Sequence, residues 1–205
     1  MKLDEDANRT LEYAGIIVGV GLILVYLLYP AVFSPSSSPV TMKVVITDTS
    51  GVQHVYTAST VGPSGSIVVN GYAVSSIAFY GSATPTFTGT VTSASFSGSY
   101  SVSDTSSSVS LSGGSIGSTA VSITSGTAFY VPNPANGAVP VYSVSASALS
   151  AGSSGTYTLS VSLSVTLTAQ ISGNSSPSTV SGSASGSVTY SYSAGTLSAL
   201  TVSVN

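Results

Sequence analysis

The chain has 205 residues, of which 4% are charged and none is cysteine. Ordinary domains are about 25% charged, so an ordinary solvated globular surface is excluded, as are disulfide cross-links and the basic footprint of a nucleic-acid binder. Simple disorder does not fit either: it goes with low hydrophobicity and high net charge, whereas 42% of these residues are apolar and the formal net charge is −3.

Residues 1–10 read as a charged N-terminal tail. Lys2, Asp4, Glu5, Asp6 and Arg9 lie there, Glu12 follows, and only Lys43, Asp48 and Asp104 carry charge afterwards. The Asp4-Glu5-Asp6 run reads as a solvated tail rather than a metal site, because no histidine or further carboxylate stands near enough to complete a shell. From Tyr13 to Phe33 no residue is charged. As a helix, at ~1.5 Å per residue, such a segment spans roughly the 30 Å of a bilayer's hydrocarbon core, so residues 11–33 are expected to form a hydrophobic membrane or assembly helix. Thr10 suits its N-cap and Glu12 its first turn. Tyr13 at one end and Tyr26 and Tyr29 at the other occupy membrane-interface positions, and Pro30 kinks or ends the helix. Gly15 and Gly19, with Gly21 beyond, form a small-residue face on which helices can pack closely in lipid. Lys2 and Arg9 against Lys43 orient the N-terminus inside.

Residues 34–40, within SPSSSP and its flanks, read as a Ser/Pro linker. Residues 41–205 then alternate apolar and hydroxyl side chains with period two. The clearest run is Thr156–Ala169, in which Tyr157, Leu159, Val161, Leu163, Val165, Leu167 and Ala169 share one face and Ser and Thr the other. Residues 187–204 read as a hairpin turning at Ala194-Gly195. Earlier strands are expected at 41–48, 53–59, 66–74, 75–81, 85–102, 107–113, 119–124 and 139–149. The loop at 131–140, VPNPANGAVP, is the strongest internal break; it reads as a long loop within one sandwich, with division into two β-modules there as the alternative. The expected fold class is therefore mainly β, an N-terminal apolar transmembrane or bundle helix followed by an antiparallel β-sandwich of jelly-roll or immunoglobulin-like type.

The polar face of these strands is made of Ser and Thr where solvent-facing sheets normally carry Lys or Glu against edge-to-edge association. A nearly neutral β-surface associates unless covered, either by sugar or by further copies of the chain; hydroxyls are cheap to desolvate compared with charges. Asn174-Ser175-Ser176 is an N-glycosylation sequon in a polar loop; Asn8-Arg9-Thr10 also matches but falls on the inner side of the expected anchor.

For chemistry, Asp48 and His54 flank one turn and with a serine would make a nominal triad. No strand-turn-helix presents a nucleophile, and Asp48 suits a turn in which it bonds its own backbone. The glycine-rich LSGGSIGS leads into no helix and so is no phosphate loop. No enzyme activity, cofactor or metal is expected. Tyr80, Phe129, Tyr130 and Tyr142 could form an aromatic platform for sugar.

The plan as a whole, the leader KLDEDANRT, the apolar LEYAGIIVGVGLILVYLLYPAVF and a cysteine-free Ser/Thr/Gly-rich β-domain, resembles archaeal type IV pilin-like surface-filament subunits. That resemblance implies N-terminal helices packed in a filament core and β-domains in an outer sheath. The expected function is a structural subunit at the cell or virion surface, its C-terminal domain outside. Its partners would be copies of itself, with a lipid bilayer or helical bundle core and other surface or virion proteins, but no nucleic acid. The alternatives are a membrane-anchored structural protein of an archaeal virus (spike, nozzle or tail component) and a monomeric anchored adhesin. Trypsin is expected to cut after Lys43 rapidly in a dispersed monomer and slowly in an assembly.

Overall fold

The computed structural model describes residues 38–69, 71–106, 113–121, 124–132, 138–150 and 153–205. The expected tail, the 11–33 segment with Gly15, Gly19, Gly21, Tyr13, Tyr26 and Tyr29, and the linker as far as residue 37 lie outside them. The compact unit runs Ser38–Asn205 and is mainly β, in two antiparallel sheets.

The described residues form eleven strands and one helical turn: β1 Val40–Asp48, β2 Gln53–Thr57, α1 Ala58–Val61, β3 Ser66–Val68, β4 Val74–Ala83, β5 Val91–Asp104, β6 Gly113–Val121, β7 Phe129–Val131, β8 Tyr142–Ser145, β9 Gly155–Ile171, β10 Ser178–Ser193 and β11 Thr196–Val204. One sheet has the order β2-β1-β4-β7, with β8 also on β4; the other is β3-β11-β10-β9-β5-β6. β7 and β8, on either side of the 131–140 loop, thus join the same strand.

The expected fold class is corrected. Among the described residues the one helix is the four-residue α1, and no helix is long and apolar enough to cross a membrane. The apolar residues of the described chain alternate with period two and go to sheet faces, so the described residues are mainly β, with no helix of that kind among them. The strand order also differs from the ABED/CFG split of immunoglobulin domains: β9, β10 and β11 run as a consecutive meander, and the chain leaves this sheet after β6 to place β7 and β8 in the other.

Alternation explains the core. Met42, Val44 and Ile46 of β1 and Ile77 and Phe79 of β4 face Leu159, Val161, Leu163, Val165 and Leu167 of β9 and Val188 and Tyr190 of β10, all buried in a single cluster. Departures from strict alternation are local, among them one in β11 and one after β2. A register shift between Thr189 and Tyr190 opposite β11 bulges Leu200 out of phase, so that Ala199 and Val202, three apart, both point inward. The expected strand 53–59 stops at Thr57, because Thr60 N–H donates to Thr57 Oγ1 (3.4 Å) while Thr57 N–H donates to Thr60 Oγ1 (2.7 Å), a reciprocal cap that starts α1 instead. The β10–β11 hairpin turns at Ala194 and Gly195, both at positive φ (49° and 82°), as a two-residue loop requires.

The start of the unit is held as well. Ser38 Oγ donates to Ser183 O at 3.0 Å, Thr84 N–H donates to Pro39 O at 2.6 Å, and Pro39 lies on Gly182, where a Cβ would come within 2.9 Å of its ring. The chain is thus docked ahead of the expected boundary at 41.

Candidate functional site

Three places in the fold gather polar or exposed aromatic groups. The largest is the outer face of the six-stranded sheet. Because β5, β9, β10 and β11 each alternate, and because their registers coincide, hydroxyls align in rows across strands. Ser99, Ser164 and Ser183 form one; Ser101, Ser162 and Ser185 the next; Ser103, Ser160, Ser187 and Ser203 a third. Strands lie ~4.8 Å apart and alternate residues ~6.8 Å apart along them, so the face is a regular lattice of hydroxyls. Nearby, Thr158–Thr189 (3.2 Å) and Thr166–Ser181 (3.1 Å) bond across strands. The serines of the three rows have no side-chain partner among the described residues, and no charge interrupts them.

The sheet edges are equally neutral. β2 and β3 are edge strands, and four exposed aliphatic side chains, Val52, Val55, Ile67 and Val68, lie on or beside them, Val68 being 81% exposed. Edges normally carry Lys, Pro or bulges against pairing with another chain.

The second place is on the outer face of the other sheet. Lys43 of β1 and Tyr80 of β4 are register partners, and Tyr130 of β7 pairs with Ser82 one step along. The Lys43 ammonium stands 4.9 Å from the Tyr80 ring centroid and 5.8 Å from that of Tyr130, within cation–π range. Thr41, Thr57, Ser82 and Gly81 complete a groove of about 310 Å³. Of the four residues expected as an aromatic platform, Tyr80 and Tyr130 come together here. Phe129 is half-buried against Phe96 (5.8 Å between centroids), and Tyr142 packs half-buried on the core. Alternation separates them, since neighbours on β7 face opposite sides. Sequence reasoning missed Lys43 as a site residue; its pairing with Tyr80 follows from the β1–β4 register alone.

The third is the Asp48 turn. Asp48 Oδ1 accepts from the backbone N–H of Ser50 (2.8 Å) and Val52 (3.0 Å), and Gly51 takes φ 84°, the self-bonded turn expected at Asp48. Asp48 Oδ2 lies 3.0 Å from His54 Nε2. The imidazole stacks on Tyr72 (4.1 Å, 12°), whose hydroxyl meets that of Tyr56 at 2.6 Å. Asp48 and His54 are therefore together, but among the described residues no serine hydroxyl bonds the ring, and no group of three His, Asp or Glu gathers to hold a metal.

Asn174 sits exposed in the β9–β10 turn. Its N–H donates to Ile171 O (3.1 Å) and its carbonyl accepts from Gln170 Nε2 (2.7 Å), and its side-chain amide has no hydrogen-bond partner among the described residues. Asp104, by contrast, is buried, and accepts from the Tyr190 hydroxyl at 2.9 Å and from the Ser106 hydroxyl; it anchors the end of β5 rather than a reactive site.

The titrating groups set two pH limits. The hydrogen bond from His54 foremost, then those from the Val52 and Ser50 amides, hold the Asp48 carboxyl below its ordinary value against some desolvation. Its contribution to stability is present above the unfolded carboxylate pKa of about 3.9 and is lost as pH falls through the lower folded value. Burial, followed by the Tyr56 hydrogen bond, pushes Tyr72 upward; burial, followed by the charge of Asp104, pushes Tyr142 upward. For a raised tyrosine the native state keeps a proton that the unfolded chain has lost, so stability is complete below a pH of about 10 and falls as pH rises beyond it. Thermal melting should thus decline more steeply above that pH than at pH 3, and the double variant Tyr72→Phe, Tyr142→Phe should move the alkaline decline to higher pH. An unmoved decline would place its cause elsewhere.

No family model, curated protein or solved structure matches the chain.

Proposed function

We propose that the chain is a non-enzymatic structural subunit of a surface assembly, pilin-like in plan, whose β-sandwich packs against neighbouring copies of itself. The observation that carries this reading is the lattice of charge-free serine rows on the six-stranded sheet. Charged side chains would make self-contact costly to desolvate and would repel like faces; hydroxyls do neither, and they can donate and accept across a contact. The neutral edges at β2 and β3, with Val55 and Val68 exposed, support the same reading. So does the order of the sequence, in which an uncharged apolar segment precedes a β-domain almost without charge. The exposed turn at Asn174 is compatible with a glycan on the outer surface of such an assembly.

The test uses the full chain. Sedimentation over a wide concentration range, and electron microscopy of the native material, should show ordered oligomers. Ser99→Lys, Ser101→Lys and Ser162→Lys together put three like charges on solvent-facing positions of the lattice. They should reduce the material to monomers while leaving the melting temperature nearly unchanged. A wild-type chain that stays monomeric throughout, or a triple variant that assembles as well as wild type, overturns the proposal.

A further inference from the structure

We propose that the Lys43–Tyr80–Tyr130 groove binds a carboxylate-bearing saccharide, a uronic-acid type of sugar, with the carboxylate on the Lys43 ammonium and the pyranose against the tyrosine rings. This is a separate site from the serine lattice, on the other sheet, and does not depend on how copies pack.

The charge comes first. Lys43 is the last Lys or Arg in the sequence, so it is the only one in the unit Ser38–Asn205. The one ion pair among the described residues is that of Asp48 with His54, so Lys43 has no carboxylate partner there. Its two neighbours are rings, which attract the cation by their faces but satisfy none of its three N–H donors as an oxygen would. In a unit that has replaced nearly every surface charge by a hydroxyl, the retained lysine stands in a groove between aromatic side chains. The complement of that arrangement is one anionic group joined to a body with an apolar face.

The groove specifies the body. Tyr130 is 39% exposed and Tyr80 lies next to Lys43 on the neighbouring strand, so ring surface and cation are offered together. A pyranose presents a face of axial C–H groups suited to such rings and a rim of hydroxyls. Thr41 and Ser82, bonded to each other at 2.8 Å, and Thr57 supply hydroxyls on the groove wall that can both donate and accept. The volume of about 310 Å³ is at the small end of ligand pockets, the size of one or two sugar residues rather than a folded partner. The single ammonium balances the one charge of a carboxylate, whereas a phosphate group carries about −1.5 to −2 at pH 7 and would be left only partly neutralised. The site is carried on β1, β4 and β7, strands of one sheet, so its geometry is pre-formed and little ordering is lost on binding.

The experiment titrates the full chain, kept dispersed in mild detergent, with tetragalacturonate, with its fully methyl-esterified form and with sodium acetate. It is read by calorimetry and by NMR shifts of the Tyr80 and Tyr130 ring signals. Saturable binding of the uronate alone is expected, weakening as salt is raised. Lys43→Met, which keeps the stem over the rings and removes the charge, should lower affinity at least tenfold, as should Tyr130→Ala at an exposed position. Both variants should keep the wild-type melting temperature. Equal binding of the methyl ester would show a neutral-sugar site and overturn the role of Lys43. Equal shifts with acetate would show a simple anion contact and overturn the saccharide. No saturable binding of the uronate, or undiminished binding by Lys43→Met, overturns the proposal as a whole.

Discussion

Leu163→Ala should be among the most destabilising single substitutions in the β-domain, and adding Gly81→Ala should restore part of the loss. Leu163 is fully buried at the centre of β9. Truncating such a leucine costs about 2–5 kcal/mol, from lost burial and from the cavity left behind. In a domain of this size each kcal/mol lowers the melting temperature by roughly 2–4 °C. Gly81 faces it from the opposite sheet: a Cβ added there would lie 2.4 Å from Leu163 Cδ2 and 3.2 Å from Val141 Cγ2. Gly81→Ala alone therefore overpacks the interface, at a cost of about 1–3 kcal/mol. Its φ is not in the left-handed region, so the backbone tolerates alanine once space exists. In the double variant the new methyl enters the space that Leu163 has vacated. Thermal or urea unfolding of the four proteins should then give a coupling of at least ~1 kcal/mol in the stabilising direction. Strict additivity would mean that the two sheets do not meet at this pair.

The same glycine logic shows where the sequence could be read and where it could not. β9 was legible because each inward position carries a large aliphatic side chain, from Leu159 to Leu167. The first half of β10 was not, though it pairs with β9 along its whole length. Its inward positions are Val180, Gly182, Ala184 and Gly186, and STVSGSASG has the composition of a loop. The structure supplies the reason. A Cβ on Gly186 would lie 2.9 Å from Val44 Cγ2, 3.1 Å from Met42 Sδ and 3.2 Å from Phe79 Cδ1. Glycine thus marks close approach of the other sheet, where large residues opposite fill the space, and period-two reading by hydrophobicity does not register it. The candidate sites divide in the same way. Asp48 and His54 flank one hairpin turn, so their meeting was legible from local spacing. Lys43 and Tyr80 are far apart in sequence and meet through the β1–β4 register, which no local pattern encodes. The serine lattice lies between. Each strand's hydroxyl face could be read singly, but the rows exist because the registers of β5, β9, β10 and β11 coincide.

Native cleavage by trypsin after Lys43 should be slower than cleavage of the unfolded chain by at least about a thousandfold, in the assembled and in the dispersed protein alike. This replaces the expectation of an open junction at Lys43. Lys43 is the fourth residue of β1, flanked on one side by Thr57 of β2 and on the other by Tyr80 of β4, and its ammonium is held over two rings. A protease needs several residues in extended, unpaired form, so cleavage here requires β1 to leave the middle of its sheet. That opening exposes Met42, Val44 and Ile46, all fully or nearly fully buried, and so approaches global unfolding, which costs domains about 5–15 kcal/mol. When opening and closing are fast relative to cleavage, the rate follows the open population. Leu163→Ala should then accelerate cleavage by about thirtyfold or more, since a loss of ~2 kcal/mol or more raises that population by that factor. Dispersing the assembly should have no comparable effect, because the neighbours that protect Lys43 belong to its own sheet. The product is unambiguous, as residues 44–205 contain no further Lys or Arg and the fragment persists once formed. Rapid cleavage of the native chain, unaltered by Leu163→Ala, would mean that β1 detaches locally from β2 and β4. The Lys43–Tyr80 pairing on which the groove depends would then not be a stable feature of the fold.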